Sequence, residues 1–543
     1  MTLSTSSSHA LVKVLHDAGV DRVFLVPGES YLGVLDALVD FADIDVVTCR
    51  HEGGAGFMAM TDGRLTGRPG VALVSRGPGA SNAAIAVHTA QQDGVPLILI
   101  VGQVAERDLR RESFQEIDYQ RMFGSIAKWV FECRHPEQLA QAAAKAVRVA
   151  TSGAPGPVVL VLPEDIQQQE VSSLEALHTR QQAGIPCPAL MQQISEQLRS
   201  AKKPLILAGG CYERAGGREA LQQFAEHFQI PVVVTFRRQD LFDNSHPLYA
   251  GNMGLSNPAE QMSLLHECDF LLALGTRLGD ITTQNYQFPQ YGKAGQTFLH
   301  CYPDSRVVGW DTAADFALVA DPLEFGRALI AANPAPAAPE RSWINAWSEF
   351  RSRYMTWPER SPDDGVDFSQ VVRAVMARAS DNLTVCLDAG TFAAPVYRYA
   401  PFTPGRRLMS PLAGAMGYGT PAAVACALRD SSRKVVCMVG DGGMLMTGQE
   451  MILAVERNLP ILFIVSSNGT YGSIRKHQEH FYPGRVSGTS LHNPDFVEMA
   501  KSYGMPAYRI KDQAEIDSAL NHVWTAHTPV LIDVNTSLRT TIG

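Results

Sequence analysis

The stretch "VVCMVGDGGMLMTGQE", residues 435 to 450, is apolar until it breaks at Gly440-Asp441-Gly442-Gly443. A short valine-rich run reads as a strand buried on both faces, as in a parallel sheet, and a helix can follow it. In open parallel sheets, ligands collect where strand C-termini meet helix N-termini. Glycines let the backbone approach a phosphate, and the first helical N–H groups point at it. An aspartate in that turn repels a diphosphate unless a cation lies between them. The next strand, "ILFIVSSNGTYG", ends in Asn468-Gly469-Thr470, so an amide oxygen can stand beside the Asp441 carboxylate. Carboxylate, amide and carbonyl oxygens are the hard ligands that Mg²⁺ or Ca²⁺ takes. The same residues also suit a plain helix cap and a turn, and spacing alone leaves the two readings level.

Outward from this stretch the chain alternates short apolar strands with helical segments, the α/β signature. "GVALVSRGPGASNAAIAVHTAQQDGVPLILIVG" (70–102) and "KVVCMVGDGGMLMTGQEMILAVERNLPILFIVS" (434–466) follow one plan: strand, glycine-rich turn, helix, then a strand introduced by Val-Pro or Leu-Pro. Two related domains at the two ends are expected. Between them, "KKPLILAGGCYERAGGREALQQFAEHFQIPVVVTF" is again strand, glycine loop, helix, strand. Its "GGCYERAGG" is not GxGxxG and points only weakly to a dinucleotide. The predicted fold is α/β with three domains, at about 1–185, 190–333 and 360–543. Two related doubly wound parallel sheets flank a Rossmann-like middle domain. Linkers are expected near 166–190, which is Gln-rich, and near 333–341, "NPAPAAPER".

Composition bounds the function. A chain of 543 residues exceeds one core, and 45% hydrophobic with 19% charged residues is globular. A net charge of -9 argues against nucleic acid as a partner. The nine cysteines are scattered without a CxxC pair, which suits reduced thiols in a cytoplasmic protein. No apolar run reaches membrane-spanning length, and the start lacks a signal peptide's apolar core, so no membrane partner is expected.

Gly440 to Asn468 resembles the GDG-x(~25)-N signature of thiamine-diphosphate-dependent enzymes. "VPGES" (26–30), "RHEGGAGFMA" (50–59), "RGPGASN" (76–82), "ESFQEIDY" (112–119) and "AGAMGYGTPAA" (413–423) extend the resemblance to the acetolactate synthase branch. The resemblance implies a pyrimidine-binding, a middle and a diphosphate-binding domain in that order. It implies Mg²⁺ on Asp441, Asn468 and the Thr470 carbonyl, with the diphosphate on Gly440, Gly442, Gly443 and Gly469 to Gly472, including Tyr471. Thr391 joins the cofactor contacts. Glu52 becomes the carboxylate that bonds the cofactor's N1′ and drives its 4′-amino group to take the C2 proton. Met416 becomes the apolar wedge that bends the cofactor, and the Gly414 carbonyl accepts from the 4′-amino group. Gln115 matches a glutamine reaching the reacting centre.

The implied reaction is decarboxylation of a 2-oxo acid to an enamine, then addition to a second carbonyl, with 2-oxo acids or aldehydes as substrates. Simple decarboxylation, or carbon–carbon cleavage of the benzaldehyde-lyase or 2-hydroxyacyl-CoA-lyase kind, is the alternative. A cofactor-binding protein without turnover is the third reading, and Glu52 argues against it. Several departures bear on the choice. Ser467 replaces a first asparagine, and no His-His pair stands near Ser113-Phe114, which disfavours enzymes that protonate their intermediate. His477 stands where acetolactate synthases carry a tryptophan favouring 2-oxobutyrate. Arg76 replaces a smaller residue and could meet a substrate carboxylate or a plain ion-pair partner. With Phe114 and His477 it forms the expected substrate set. The resemblance further implies a homodimer or homotetramer with active sites at the subunit interface. It leaves a flavin (FAD) in the middle domain open.

Overall fold

The computed structural model describes residues 4–172, 184–289, 295–333 and 339–542. It contains three six-stranded sheets, each parallel throughout. The N-terminal sheet runs, in spatial order, Asp45–Thr48, Arg22–Leu25, Gly70–Val74, Leu97–Gln103, Pro157–Pro163, Trp129–Glu132. The C-terminal sheet runs Arg407–Met409, Leu383–Leu387, Lys434–Gly440, Ile461–Ser467, Val530–Asn535, Ala507–Ile510. Numbered along the chain, the strands of both sheets stand in the order 2-1-3-4-6-5. The two stretches that look alike in sequence therefore occupy the same place, the third strand and the crossover to the fourth. Residues such as Val71 to Val74 and Val435 to Val439 are buried because helices cover both faces of each sheet.

The middle sheet differs. Tyr249–Asn252, Val232–Val234, Pro204–Ala208, Phe270–Leu274, Thr297–Tyr302 and Phe316–Val319 stand in the order 3-2-1-4-5-6. That is the Rossmann order, whose reversal point lies between the first and fourth strands.

The expected linkers lie partly outside the described residues, at 173–183 and 334–338. What is described on their flanks is ordered structure rather than connector. Glu170–Ser172 pairs antiparallel with Ser4–Ser6, and a helix begins at Pro188, a residue pre-set for a first helical turn. Helix Arg341–Tyr354 seats Trp343, Trp347 and Phe350 on the middle sheet, and Trp343 Nε1 donates to Pro204 O at 2.8 Å.

One helix from each outer domain packs against the other. Helix Glu52–Thr66 starts at His51, whose Nδ1 accepts from Gly53 N at 3.0 Å, and ends at Gly67 with φ +69°. Its small residues allow close approach: a Cβ on Gly56 would lie 2.5 Å from Ala86 Cβ. It packs on helix Gly419–Arg429, with Phe57 edge-on to Tyr418 and the Thr61 and Tyr418 hydroxyls 3.0 Å apart. One apolar cluster runs through both domains. Arg429 then forks onto Asp62 and Asp21.

Candidate active site

Glu52 is the first residue of its helix, at the C-terminal edge of the N-terminal sheet. It is half-buried, and Asn82 Nδ2 donates to its Oε2 at 2.9 Å. Gly79 leaves room beside it, since a Cβ there would lie 3.4 Å from Oε1. The carboxylate is thus fixed on one oxygen, and the other is left for a partner.

Asp441 opens helix Asp441–Thr447 and is buried. Its Oδ1 accepts from Gly442 N at 2.9 Å. Its Oδ2 accepts from Asn468 N at 3.1 Å, Gly469 N at 2.7 Å and Asn493 Nδ2 at 2.9 Å. Burial pushes its carboxyl pKa up against these N–H groups, and a cation would stabilise the charged form. Asn468 Oδ1 accepts from Thr470 N at 3.1 Å. The Thr470 hydroxyl donates to Thr489 O at 2.7 Å, so any ligation falls to its carbonyl. Among the described residues no group of three His, Cys, Asp or Glu could hold a metal. The oxygens that meet here are instead one carboxylate, one amide and one carbonyl, hard donors of the kind Mg²⁺ takes.

The glycines here are cradle positions. A Cβ on Gly442 would lie 2.6 Å from the Tyr471 ring, and one on Gly443 would overlap Asp388 Oδ2. A Cβ on Gly472 would lie 3.2 Å from Thr391 Oγ1 and 3.3 Å from Asn468 Nδ2, so these three surround one spot. Gly440 lies over Phe392, the residue after Thr391. Gly414 is exposed with φ +68°, a conformation that favours glycine, and Met416 is half-buried two residues on.

Loop 104–118 carries Phe114 and Gln115, both exposed, Phe114 at 77%. Arg110, Glu112 and Gln115 hold positive φ of 62°, 58° and 65°, strain that clusters at functional loops. The Glu116 carboxylate pins the loop through Arg110 N at 2.6 Å, and Gln115 O accepts from Gly77 N at 2.9 Å. Arg76 is turned toward Glu164, with which it forms an ion pair. His477 is exposed on helix Gly472–Phe481, its ring stacked on Phe481.

The structure thus gathers two clusters, Glu52 with Asn82 and Asp441 with Asn468, Thr391 and Gly472. Among the described residues no hydrogen bond or ion pair joins them. Leu445 and Met446 beside the aspartate are 47% and 43% exposed.

Family models for the N-terminal, central and C-terminal domains of thiamine pyrophosphate enzymes match residues 5–122, 191–329 and 388–534. The chain is 30% identical to a probable acetolactate synthase large subunit of Methanocaldococcus jannaschii, over 97% of this chain and 91% of that protein. It is 31% identical to the acetolactate synthase isozyme 3 large subunit of Escherichia coli, over 95% and 92%. It is 30% identical to the acetolactate synthase large subunit of Corynebacterium glutamicum, over 97% and 86%.

The chain belongs to the thiamine pyrophosphate enzyme family. Its order of domains is the family's, and the two site clusters fall on its N-terminal and C-terminal cofactor-binding domains.

Four polar residues at these clusters escaped the sequence reading. Asn82 lies inside the quoted "RGPGASN" and Glu450 inside the opening stretch, but neither shows its partner in sequence. Asn493 reaches Asp441 from a distant loop and keeps its own Oδ1 without a partner. Asp388 Oδ1 accepts from Tyr418 N at 3.1 Å, bracing the loop that carries Met416, and burial pushes its carboxyl up to about 6. A separate cavity of about 300 Å³ lies at the reversal point of the middle sheet. Gly210, Gly275, Arg238 and Arg277 line it, and neither Glu52 nor Asp441 does. Arg238 is buried there, its Nε 3.3 Å from Glu213 Oε2, and Asp93, Asp280 and Asp321 line the same cavity.

Proposed function

We propose that this protein is a thiamine-diphosphate- and Mg²⁺-dependent carboligase of 2-oxo acids, cytoplasmic, working as a homodimer or homotetramer. The observation that carries the reading is the split site. Glu52 is poised on one domain with a free oxygen, and Asp441 with Asn468 is poised on the other within a glycine cradle. Among the described residues of one chain no hydrogen bond or ion pair joins the two, and the apolar Leu445 and Met446 beside the cradle stay open. A second copy supplies the missing half. The expected boundaries of 1–185, 190–333 and 360–543 are retained for the three domains, with the Arg341–Tyr354 helix added to the middle one.

When bound, thiamine diphosphate supplies a carbanion equivalent at C2 and an electron sink for decarboxylation. Asp441, Asn468 and the Thr470 carbonyl would hold Mg²⁺, and the backbone at Gly442, Gly443 and Gly469–Gly472 would hold the diphosphate. Tyr471 and Thr391 wall that cradle. Glu52 would keep a proton at N1′, with Asn82 fixing its other oxygen. Met416 would wedge the rings, and the Gly414 carbonyl would accept from the 4′-amino group. Phe114 and Gln115, held by the strained loop, would face the reacting carbon, and neither is an acid. Loop 104–118 holds no histidine to serve as a proton donor, which would favour addition to a second carbonyl over protonation. The Arg76–Glu164 pair makes Arg76 a weaker candidate for a substrate carboxylate, and exposed His477 would meet substrate only at the rim of the site. The middle cavity is where a flavin would sit, and the flavin absorbance band of the purified protein tests for it.

Incubating the enzyme with pyruvate, Mg²⁺ and cofactor, then separating products, tests the reaction. Acetolactate is the expected product, and predominant acetaldehyde would replace carboligation with decarboxylation.

A further inference from the structure

Glu450 belongs to the C-terminal domain, in the turn Gly448–Glu450 that follows the Asp441 helix. It is fully buried. Its Oε1 accepts from His51 N at 2.9 Å and Arg50 N at 3.1 Å, and its Oε2 lies 3.2 Å from Arg50 N. Those two N–H groups begin the turn that launches the Glu52 helix. Gly54 permits the approach, since a Cβ there would lie 2.6 Å from Glu450 Oε1. The Arg50 guanidinium turns away, to Thr48 O and Glu456, so among the described residues backbone N–H groups hold the buried carboxylate without an ion pair.

We propose that Glu450 is a positioning residue for Glu52: it clamps the Arg50–His51 turn and so sets where the Glu52 carboxylate points. Joining two domains does not call for this residue type. A buried carboxylate without a countercharge is costly, and a well-packed apolar side chain joins two surfaces more cheaply. What a carboxylate adds is acceptance from two adjacent N–H groups at a helix start, where such donors otherwise lack partners. His51 braces the same turn from inside, through Gly53 N. Glu52 is therefore held on three sides: by Asn82 on its carboxylate, by His51 within its own turn, and by Glu450 from the neighbouring domain. A carboxylate that must meet one ring nitrogen tolerates little displacement, so loosening this turn reduces proton transfer before it reduces cofactor binding.

The inference rests on the reading of Glu52 as the activating carboxylate, and the test separates the two. Full-length Glu450→Gln and Gly54→Ala are compared with Glu52→Gln. In the cofactor-free proteins, amide hydrogen exchange at residues 50–54 is expected to speed up by about tenfold for the first two variants. With thiamine diphosphate and Mg²⁺ bound, their C2 hydrogen exchange is expected to fall by about tenfold while cofactor affinity moves by less than about threefold. The double variant Glu52→Gln/Glu450→Gln is expected to exchange no slower than Glu52→Gln alone, as residues acting through one group do. Wild-type C2 exchange in a folded Glu450→Gln protein, or effects that multiply in the double variant, would overturn the proposal. Should Glu450→Gln fail to fold, Gly54→Ala carries the same comparison with the charge retained. Normal C2 exchange in Glu52→Gln would instead overturn the reading of Glu52 itself.

Discussion

The N-terminal and C-terminal sheets share one strand order, yet each matching loop carries different chemistry. After the second strand the N-terminal domain presents Glu52, and the C-terminal domain presents Gly414 and Met416. After the third, one presents Arg76-Gly77-Pro78 and the other Gly440-Asp441-Gly442. After the fourth, one presents Phe114 and Gln115 on a strained loop, and the other presents Asn468 to Tyr471. The scaffold decides where a loop ends up, at the carboxyl edge of a parallel sheet where ligands gather. It does not decide what the loop does. Under the proposed function, the carboxylate at the third-strand turn would take a cation and the one at the second-strand turn a ring nitrogen. One shared plan would then divide cofactor binding into an activating half and an anchoring half.

The largest expected effect breaks the activating half alone. Glu52→Gln keeps the fold and the bound cofactor but slows C2 deprotonation by about 10²–10⁴-fold, the usual cost of losing a positioned acid–base group. Deuterium exchange at C2, read by NMR after acid quench, measures it. Near wild-type exchange would place the activating carboxylate elsewhere.

Breaking the anchoring half gives a different phenotype. Asp441→Ala is expected to weaken Mg²⁺-dependent thiamine diphosphate binding by at least about a hundredfold, or about 2.7 kcal/mol. Circular dichroism should show an unchanged fold. Calorimetry that finds unchanged affinity would remove Asp441 from the metal site. Glu52→Gln is thus expected to change chemistry with binding intact, and Asp441→Ala to change binding.

A third test compares glycines on the two matching helices. A methyl group on Gly443 overlaps the Asp388 carboxylate, whereas one on Gly79 meets Val74 Cβ at 3.3 Å and Glu52 Oε1 at 3.4 Å. Gly443→Ala is expected to cost about 1–3 kcal/mol, as overpacking does, and Gly79→Ala to cost less than that. Thermal unfolding of both decides it. Equal costs would mean that the cradle glycines have no special packing demand.

Much of this division was legible in sequence because its signals are local. Asp441 stands between glycines at the end of an apolar run, Asn468 ends the next one, and Glu52 opens a run of small residues. Strands buried on both faces declare themselves by composition, so the sheets were legible too. What stayed hidden depends on distance along the chain. Asn493 lies 52 residues from Asp441 and Glu450 lies 399 from His51. No spacing rule reaches across a sheet or a domain boundary. The ion pair of Arg76 was open for the same reason, since Glu164 arrives from another strand end. The first residues of the linker expected at 166–190 read differently: polar composition near residue 170 suggests a connector, but backbone pairing with Ser4–Ser6 makes a strand there regardless of side chains.

The smallest expected effect concerns how the two halves are held together. Asp21 of the N-terminal domain meets Arg429 of the C-terminal domain at 2.9 Å and Arg68 at 3.0 Å. Burial alone would raise the Asp21 carboxyl, but the bonds and charge of Arg429 and Arg68 outweigh it and hold the pKa at about 2. In the unfolded chain an aspartate titrates near 3.9. The folded value is the lower one, so the unfolded chain takes up the proton first as pH falls. The stabilisation is full above about pH 4 and is lost as pH drops through about 2. Asp21 is 46% exposed, so solvent screening limits the contribution to about 0.5–1 kcal/mol. Wild type should therefore exceed Asp21→Asn by that margin at about pH 6, with the gap narrowing by about pH 3 and shrinking in high salt. A gap that persists unchanged into acid would mean that Asp21 acts through packing rather than charge. Arg429 would then bind the two domains through Asp62 alone.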